Sequence, residues 1–439
     1  MITIVAMVFG IVPIAYAQWS LSPATAALSR SDAMVSPSGD SIVIAARTGY
    51  GNGGQIWRLN PTGGRVTRLS GRASPAFNPV FSPDGEWVAY FSTVANLGLG
   101  LLSELADLRM ARLDGNEDRL IAEDLPIGHW DRISGRYYFS LPATPAFSPD
   151  GRKVALLSGT SVLVASTEGK LLRVADLSAQ LRVRFNLVGW TEDGSEVLLF
   201  DSRQIQRRPP TTKNTLIAYD PESGQVRTVY SSEGMLTTAD GYLGWQSQGK
   251  PVRRLPLYVR TPKWWEQVVR FDLLDIATGN VETIAEQACR VRAVLSGDGR
   301  FLVYATCLGD RRLGYRSELH LRDLVSGEDR IVATLEGRAW RLEMAPAADR
   351  WAILLSERGV PYWTTLVVDA DGTVREPERD GGSWLPLGWW GNDRVLLSRG
   401  MSWGSAYLGE RWAGSGQLAL ADVESGSVHV IYPTTTEGR

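Results

Sequence analysis

One hydrophobic–polar pattern recurs along the chain: a short apolar strand, a tight polar turn, then four or five consecutive apolar residues. It is clearest in Phe81-Ser82-Pro83-Asp84-Gly85-Glu86-Trp87-Val88-Ala89-Tyr90 and returns in Phe147-Ser148-Pro149-Asp150-Gly151-Arg152-Lys153-Val154-Ala155-Leu156. Weaker copies begin at Val35, Trp190, Leu295, Ala345 and Trp389. A degenerate copy near Gly244–Gly249 is followed by Arg253, Arg254 and Pro256, which interrupt its strand. The copies lie about 43 to 66 residues apart, as expected for one four-stranded blade per repeat.

The turn letters follow from backbone chemistry. Proline presets φ for the second position of a turn, aspartate bonds its own backbone, and glycine takes the left-handed position that closes a hairpin. The run that follows, such as Val197-Leu198-Leu199-Phe200, does not alternate, which predicts a strand buried on both faces between adjacent blades. A second hairpin with the form D-x-x-[ST]-G ends at Gly224, Gly279, Gly327 and Gly426. Two hairpins per unit make four strands. The expectation is an all-β chain forming a single β-propeller of about eight blades, or seven if the segment around Trp245 is only an insertion.

The runs QIWRLNPTGGRVTRLS (Gln55 to Ser70) and PVFSPDGEWVAYFS (Pro79 to Ser92) resemble the S-P-D-G repeat of TolB-type, WD-repeat-like β-propellers. The resemblance covers nearly all of the mature chain in weak copies, with strong ones at Phe81 and Phe147. It implies the propeller fold. Such propellers serve as periplasmic interaction platforms, as gating domains of prolyl-oligopeptidase-type peptidases and as parts of secreted enzymes, and the resemblance does not choose among these.

Composition narrows the setting. A chain of 439 residues with 44% hydrophobic and 21% charged residues can bury a sizeable core. A formal net charge of −2 argues against a nucleic-acid partner. Met1 to Ala17 is an apolar run closed by Ala15-Tyr16-Ala17 and reads as a signal peptide, although its first residues lack Lys or Arg. Retention as an anchor is the alternative. Residues 18–439 then form the propeller domain, exported to a periplasmic or extracellular setting, with no membrane span in the mature chain. Cys289 and Cys307 flank the predicted hairpin at Ser296–Gly299, where export permits a disulfide; two buried thiols are the alternative.

Catalytic motifs are incomplete. Gly400-Met401-Ser402-Trp403-Gly404 matches a nucleophile elbow, but it follows Val395-Leu396-Leu397 in a loop with about 35 residues after it. Ala218-Tyr219-Asp220-Pro221-Glu222-Ser223-Gly224 resembles the start of a quinoprotein docking repeat, yet Thr228 stands where that repeat needs tryptophan. His129, His320 and His429 form no paired metal motif, and Asp369-Ala370-Asp371-Gly372 lacks the further ligands of a calcium loop. These readings imply no cofactor, no metal and no catalytic residue.

Position carries the remaining signal. Both turn families should share one face, leaving the long connections on the other. The connections at 127–141, 201–214, 260–267, 308–317 and 399–414 contain 13 Lys or Arg against 5 Asp or Glu. They concentrate His129, Trp130, Arg132, Arg207, Arg208, Trp264, Trp265, Arg311, Arg312, Tyr315, Trp403, Arg411 and Trp412. Arginine and aromatic residues on rigidly held loops suit an interface. The leading expectation is an exported, non-enzymatic propeller that binds a protein partner of an envelope or extracellular complex through this face, with an anionic glycan as another ligand. The alternative is a propeller enzyme or glycan-binding module with its site at the central channel, drawing on Asp131, Asp201, Glu266, Asp310 or Glu410.

Overall fold

The computed structural model describes residues 26–27, 33–48, 54–60, 66–71, 76–92, 105–126, 129–131, 136–138, 145–158, 161–177, 185–207, 210–234, 237–239, 252–260, 268–289, 293–310, 314–356, 363–377, 384–399 and 417–432. Among them are strands and turns but no helix, and so no helix long and apolar enough to cross a membrane. The predicted signal segment, 1–17, lies outside the described residues.

Apart from Ala26–Ala27, which pairs with Ile42–Thr48, and a separate hairpin at 129–138, the described strands fall into eight consecutive antiparallel units of four. Blade 1 comprises Ala33–Val35, Ile42–Thr48, Gly54–Leu59 and Thr67–Arg68. Blade 2 comprises Ala76–Phe81, Trp87–Ser92, Leu105–Arg112 and Asp118–Pro126. Blade 3 comprises Ala146–Phe147, Lys153–Ser158, Ser161–Ser166 and Leu171–Asp176. Blade 4 comprises Phe185–Trp190, Val197–Arg207, Pro210–Tyr219 and Val226–Gly234. Blade 5 comprises Thr237–Ala239, Arg254–Arg260, Val268–Asp275 and Val281–Cys289. Blade 6 comprises Val294–Leu295, Phe301–Asp310, Gly314–Asp323 and Asp329–Glu336. Blade 7 comprises Arg338–Met344, Arg350–Ser356, Trp363–Asp369 and Val374–Arg375. Blade 8 comprises Leu385–Trp390, Arg394–Arg399, Gln417–Asp422 and Val428–Tyr432. Blade 5 is the degenerate copy, so the count is eight rather than seven.

The core is distributed around the ring. Apolar clusters lie between blades 1 and 2 (Ile56, Phe81, Tyr90), 2 and 3 (Phe91, Met110, Leu156), 3 and 4 (Val164, Trp190, Leu199), and 4 and 5 (Phe200, Leu257, Leu274). Others lie between blades 5 and 6 (Phe271, Leu302), 6 and 7 (Leu319, Trp351), and 7 and 8 (Val367, Trp389). The eighth joins Ile42, Ile44 and Leu59 of blade 1 to Leu396, Leu418 and Leu420 of blade 8. Each such side chain removed from water contributes about 1.5–3 kcal/mol, and the cluster between blades 1 and 8 packs the two ends of the ring together. Every blade is built from its own consecutive strands.

The two turn families share a face, as the repeat predicts. In blade after blade, an amide of the second turn bonds a carbonyl of the first: Leu113 N to Glu86 O, Thr167 N to Arg152 O, and Leu324 N to Arg300 O, at 2.8–2.9 Å. Within the first turn, Ser148 Oγ donates to Asp150 Oδ1 at 2.6 Å and accepts from Lys153 N at 2.9 Å. Thr191 with Asp193 and Ser296 with Asp298 repeat the arrangement. Hydrogen bonds from turn hydroxyls and amides hold the carboxyls of Asp193, Asp220, Asp298, Asp371 and Asp422 below their ordinary range. The Arg300 guanidinium, with the turn amides, draws Asp323 down to about 2.

Cys289 and Cys307 form a disulfide with Cα atoms 4.8 Å apart. Its place differs from the expected cross-hairpin position. Cys289 ends the outermost strand of blade 5, and Cys307 lies in the second strand of blade 6, where Ala288 pairs with Thr306 and merges the two blades into one sheet. The hairpin at Ser296–Gly299 starts only at Val294, because the chain first crosses from the rim of one blade to the centre of the next. The bridge therefore staples two blades together, and such bonds persist in oxidising compartments.

Candidate functional site

The long-connection edge is partly built of strand. The expected loop at 201–214 is a continuation of the blade 4 hairpin, with Arg207 opposite Pro210. In blade 6 the same extension pairs Gly309 with Tyr315. The segment at 127–141 contains a separate hairpin in which His129 faces Tyr138 and Trp130 faces Tyr137. The blade 4 extension is rich in polar residues, Asp201-Ser202-Arg203-Gln204 against Thr211-Thr212-Lys213-Asn214, so it lacks the apolar run that marks the other strands.

At this edge of blade 7 the inner strand begins with Arg338-Ala339-Trp340-Arg341. A β-bulge falls between Ala339 and Arg341. Bulges locally bend a strand and re-aim a side chain, and the bulged residue here is Trp340. Its ring stacks on Trp363 with centroids 5.6 Å apart and planes at 11°, and its Nε1 donates to Ser356 Oγ at 2.6 Å. On Trp340 also rests the Arg338 guanidinium, 4.0 Å from the ring centroid and 5.7 Å from the Tyr315 ring. Arg338 is only 6% exposed, whereas Trp340, Trp363 and Tyr315 are half-buried. The result is a column running from a buried guanidinium through Trp340 to Trp363 nearer solvent. Cation–π contacts of this type strengthen when desolvated.

Two further cations flank the column. Arg341 is buried and donates to Glu343 Oε1 at 2.7 Å and to the Leu387 carbonyl of blade 8 at 3.4 Å. Arg399 of blade 8 lies 4.6 Å from the Trp384 ring centroid and donates to Gln417 Oε1. Arg338, Arg341 and Arg399 thus bring three guanidinium groups to this edge beside the stacked indoles, with Arg341 paired to Glu343. Among the described residues no group of His, Cys, Asp and Glu could hold a metal ion.

Of the residues singled out from sequence, Tyr315 joins this column. His129 and Trp130 lie in their own hairpin and Arg207 at the end of the blade 4 ribbon. Arg132, Arg208, Trp264, Trp265, Arg311, Arg312, Trp403, Arg411 and Trp412 lie outside the described residues, as do Ser402, Glu266 and Glu410. Asp131 and Asp310 end strands, while Asp201 is buried within blade 4 opposite Phe185 and Thr215. Sequence reasoning passed over Arg338, Trp340, Arg341, Trp363 and Arg399 as site residues. The available signal was Arg-Ala-Trp-Arg, two bulky cations and an aromatic ring where other blades start an apolar inner strand.

No family model matches the chain, and no curated protein matches it. Solved structures do match. A dipeptidyl peptidase 4 from Porphyromonas gingivalis aligns with a TM-score of 0.60 and 11% identity over 94% of this chain and 60% of its own. An oligogalacturonate lyase from Vibrio parahaemolyticus aligns with a TM-score of 0.50 and 13% identity over 91% of each chain. The tricorn protease aligns with a TM-score of 0.41 and 13% identity over 89% of this chain. This chain spans 43% of the tricorn chain and 60% of the dipeptidyl peptidase. At these identities the likeness establishes the fold alone, a β-propeller.

These matches overturn the expectation of a non-catalytic interaction platform that is no enzyme, because the peptidase and the lyase are both enzymes. That expectation rested on the lack of a contiguous catalytic motif. In a propeller the groups that meet at one mouth come from blades tens of residues apart, so a site can be assembled without one.

Proposed function

We propose that this chain is the propeller of an exported enzyme that acts on an acidic polysaccharide, held against the long-connection edge of blades 6 to 8. The observation that carries the reading is the Arg338–Trp340–Trp363 column with Arg341 and Arg399 beside it. The half-buried Trp363 indole at the end of the column offers an apolar face to the C–H face of a sugar, with Trp340 stacked behind it. A guanidinium fork matches a carboxylate in charge and geometry, and Arg399, half-buried at this edge, is the one placed to meet a ligand, while buried Arg338 and Arg341 brace the rings behind it. The oligogalacturonate lyase supports the reading at the level of architecture, since its chain and this one cover each other over 91% of their lengths. Export is supported by the apolar run Met1 to Ala17 and by the inter-blade disulfide.

The test is a panel of polygalacturonate, alginate and a neutral glucan, with binding followed by calorimetry and cleavage by new reducing ends or unsaturated uronate absorbance. Binding and cleavage of an acidic member, with the neutral glucan inert, are expected. Failure to bind or cleave any acidic polysaccharide would remove the proposal.

A further inference from the structure

We propose that Ser317 is a positioning residue for the Arg338–Trp340–Trp363 column and that the Cys289–Cys307 bridge sets its place, which ties the site to the oxidation state of that bridge. The functional consequence rests on the acidic-polysaccharide reading; the geometric claim does not.

Ser317 is 1% exposed and sits directly opposite Cys307 in the blade 6 sheet. Its Oγ lies 3.6 Å from Cys289 Sγ and 3.9 Å from Cys307 Sγ. The same hydroxyl donates to the Gly337 carbonyl at 2.9 Å and accepts from the Ala339 amide at 2.9 Å. One side chain thus grips the backbone on both sides of Arg338, immediately before the bulge that presents Trp340. Gly337 N also donates to Tyr315 O at 2.8 Å, which draws the fourth member of the column to the same anchor.

The bridge and this anchor share one packed cluster, in which both cysteines lie among Leu335, Ala339, Leu342 and Leu355. Two unbonded sulfurs cannot remain at covalent distance and need about 3.5 Å or more between them. A close-packed interior transmits that displacement instead of absorbing it. Ser317 Oγ lies within 4 Å of both sulfurs, and a new S–H donor would take its second lone pair, beside the one that accepts from the Ala339 amide, and so pull on the hydroxyl that holds this backbone. Reduction by a dithiol delivers two electrons and two protons, breaks the S–S bond, forms two S–H bonds and leaves the dithiol as its own disulfide. Because both cysteines are buried, that exchange passes through local opening, and substitution is the cleaner probe.

The experiment compares oxidised wild type, Ser317→Ala with the bridge intact, and the Cys289→Ala/Cys307→Ala double variant. The first readout is the circular-dichroism exciton couplet of the stacked indoles, assigned as the part that Trp363→Phe abolishes. The second is the dissociation constant for oligogalacturonate. Ser317→Ala and the double variant are each expected to lose at least about half of the couplet and to bind about tenfold more weakly, the weight of one hydrogen-bonded anchor. A lost couplet without oligogalacturonate binding by any sample supports the positioning role and defeats the polysaccharide reading alone. Unchanged couplets in both variants, each melting cooperatively, overturn the positioning role whatever the binding. Should the double variant not fold, Ser317→Ala decides the positioning role and the couplet of wild type before and after reduction by a dithiol decides the part of the bridge, an unchanged couplet overturning it.

Discussion

On the short-turn face, Ser82, Ser148, Thr191 and Ser296 make the same bonds to an aspartate and a backbone amide in four blades. On the opposite edge the contacts change from blade to blade: an extended ribbon in blades 4 and 6, an Arg–Trp–Trp column in blade 7, an Arg–Trp pair in blade 8. The first face satisfies its polar groups internally and has one solution per turn, so the same letters recur. The second is free of that constraint. Where repetition stops and large or charged side chains replace it, turn chemistry no longer dictates the letters.

The largest test of this contrast is a glycine of the repeated face. Gly279 has φ +72°, and a Cβ there would meet the Val229 carbonyl at 2.7 Å. Gly279→Ala should therefore lose about 3 kcal/mol in denaturant unfolding, the left-handed cost of about 1–2 kcal/mol plus the clash. Gly85 has φ +74° but its nearest neighbour, Pro37 Cδ, is at an ordinary 3.6 Å, so Gly85→Ala should lose only about 1–2 kcal/mol. Equal losses would show that the close approach of this turn to the outer strand of the adjacent blade costs little.

Replacing both cysteines by alanine comes next. The bridge closes 18 residues, and its removal should lower stability by about 3 kcal/mol on the chain-entropy account. A loss below about 1 kcal/mol would mean that packing between blades 5 and 6 holds without the staple.

Trp363→Ala is expected to act in the opposite sense to the glycine changes. It should weaken oligogalacturonate binding by about 2 kcal/mol, roughly thirtyfold, because large aromatic anchors dominate interfaces. Its melting temperature should move little, since the ring is half-buried at an edge. A large fall in stability with unchanged affinity would make the column structural.

The smallest effect is acid dependence of the repeated face. The turn carboxyls, with Asp323 at about 2, bind protons less readily folded than unfolded. Their contribution is complete above the ordinary value of 3.8 and is lost as pH falls from there towards about 2. Urea midpoints should stay flat above about pH 4 and decline below it, and a decline that began nearer neutrality would implicate other groups.

The alternation of apolar runs with S-P-D-G and D-x-x-[ST]-G turns determined the strands, a count of seven or eight blades and the common face of the short turns. That information is local: a turn's letters and the four or five residues beside it specify a hairpin, whose inner strand must be buried on both faces. Even the weak fifth copy kept Leu255 and Leu257 as buried positions around Pro256. The cysteine pair was legible in the same way, but its role was not, because whether Cys289 faces its own hairpin or the next blade depends on how the chain crosses between blades. The column was beyond sequence for a related reason. Tyr315, Arg338 and Trp363 belong to three separate strands in two blades, and Trp340 reaches them only through a bulge. Their meeting depends on ring closure and inter-blade packing, which are long-range contacts with no local pattern, so only the tertiary structure decided where this protein's arginines and indoles come together.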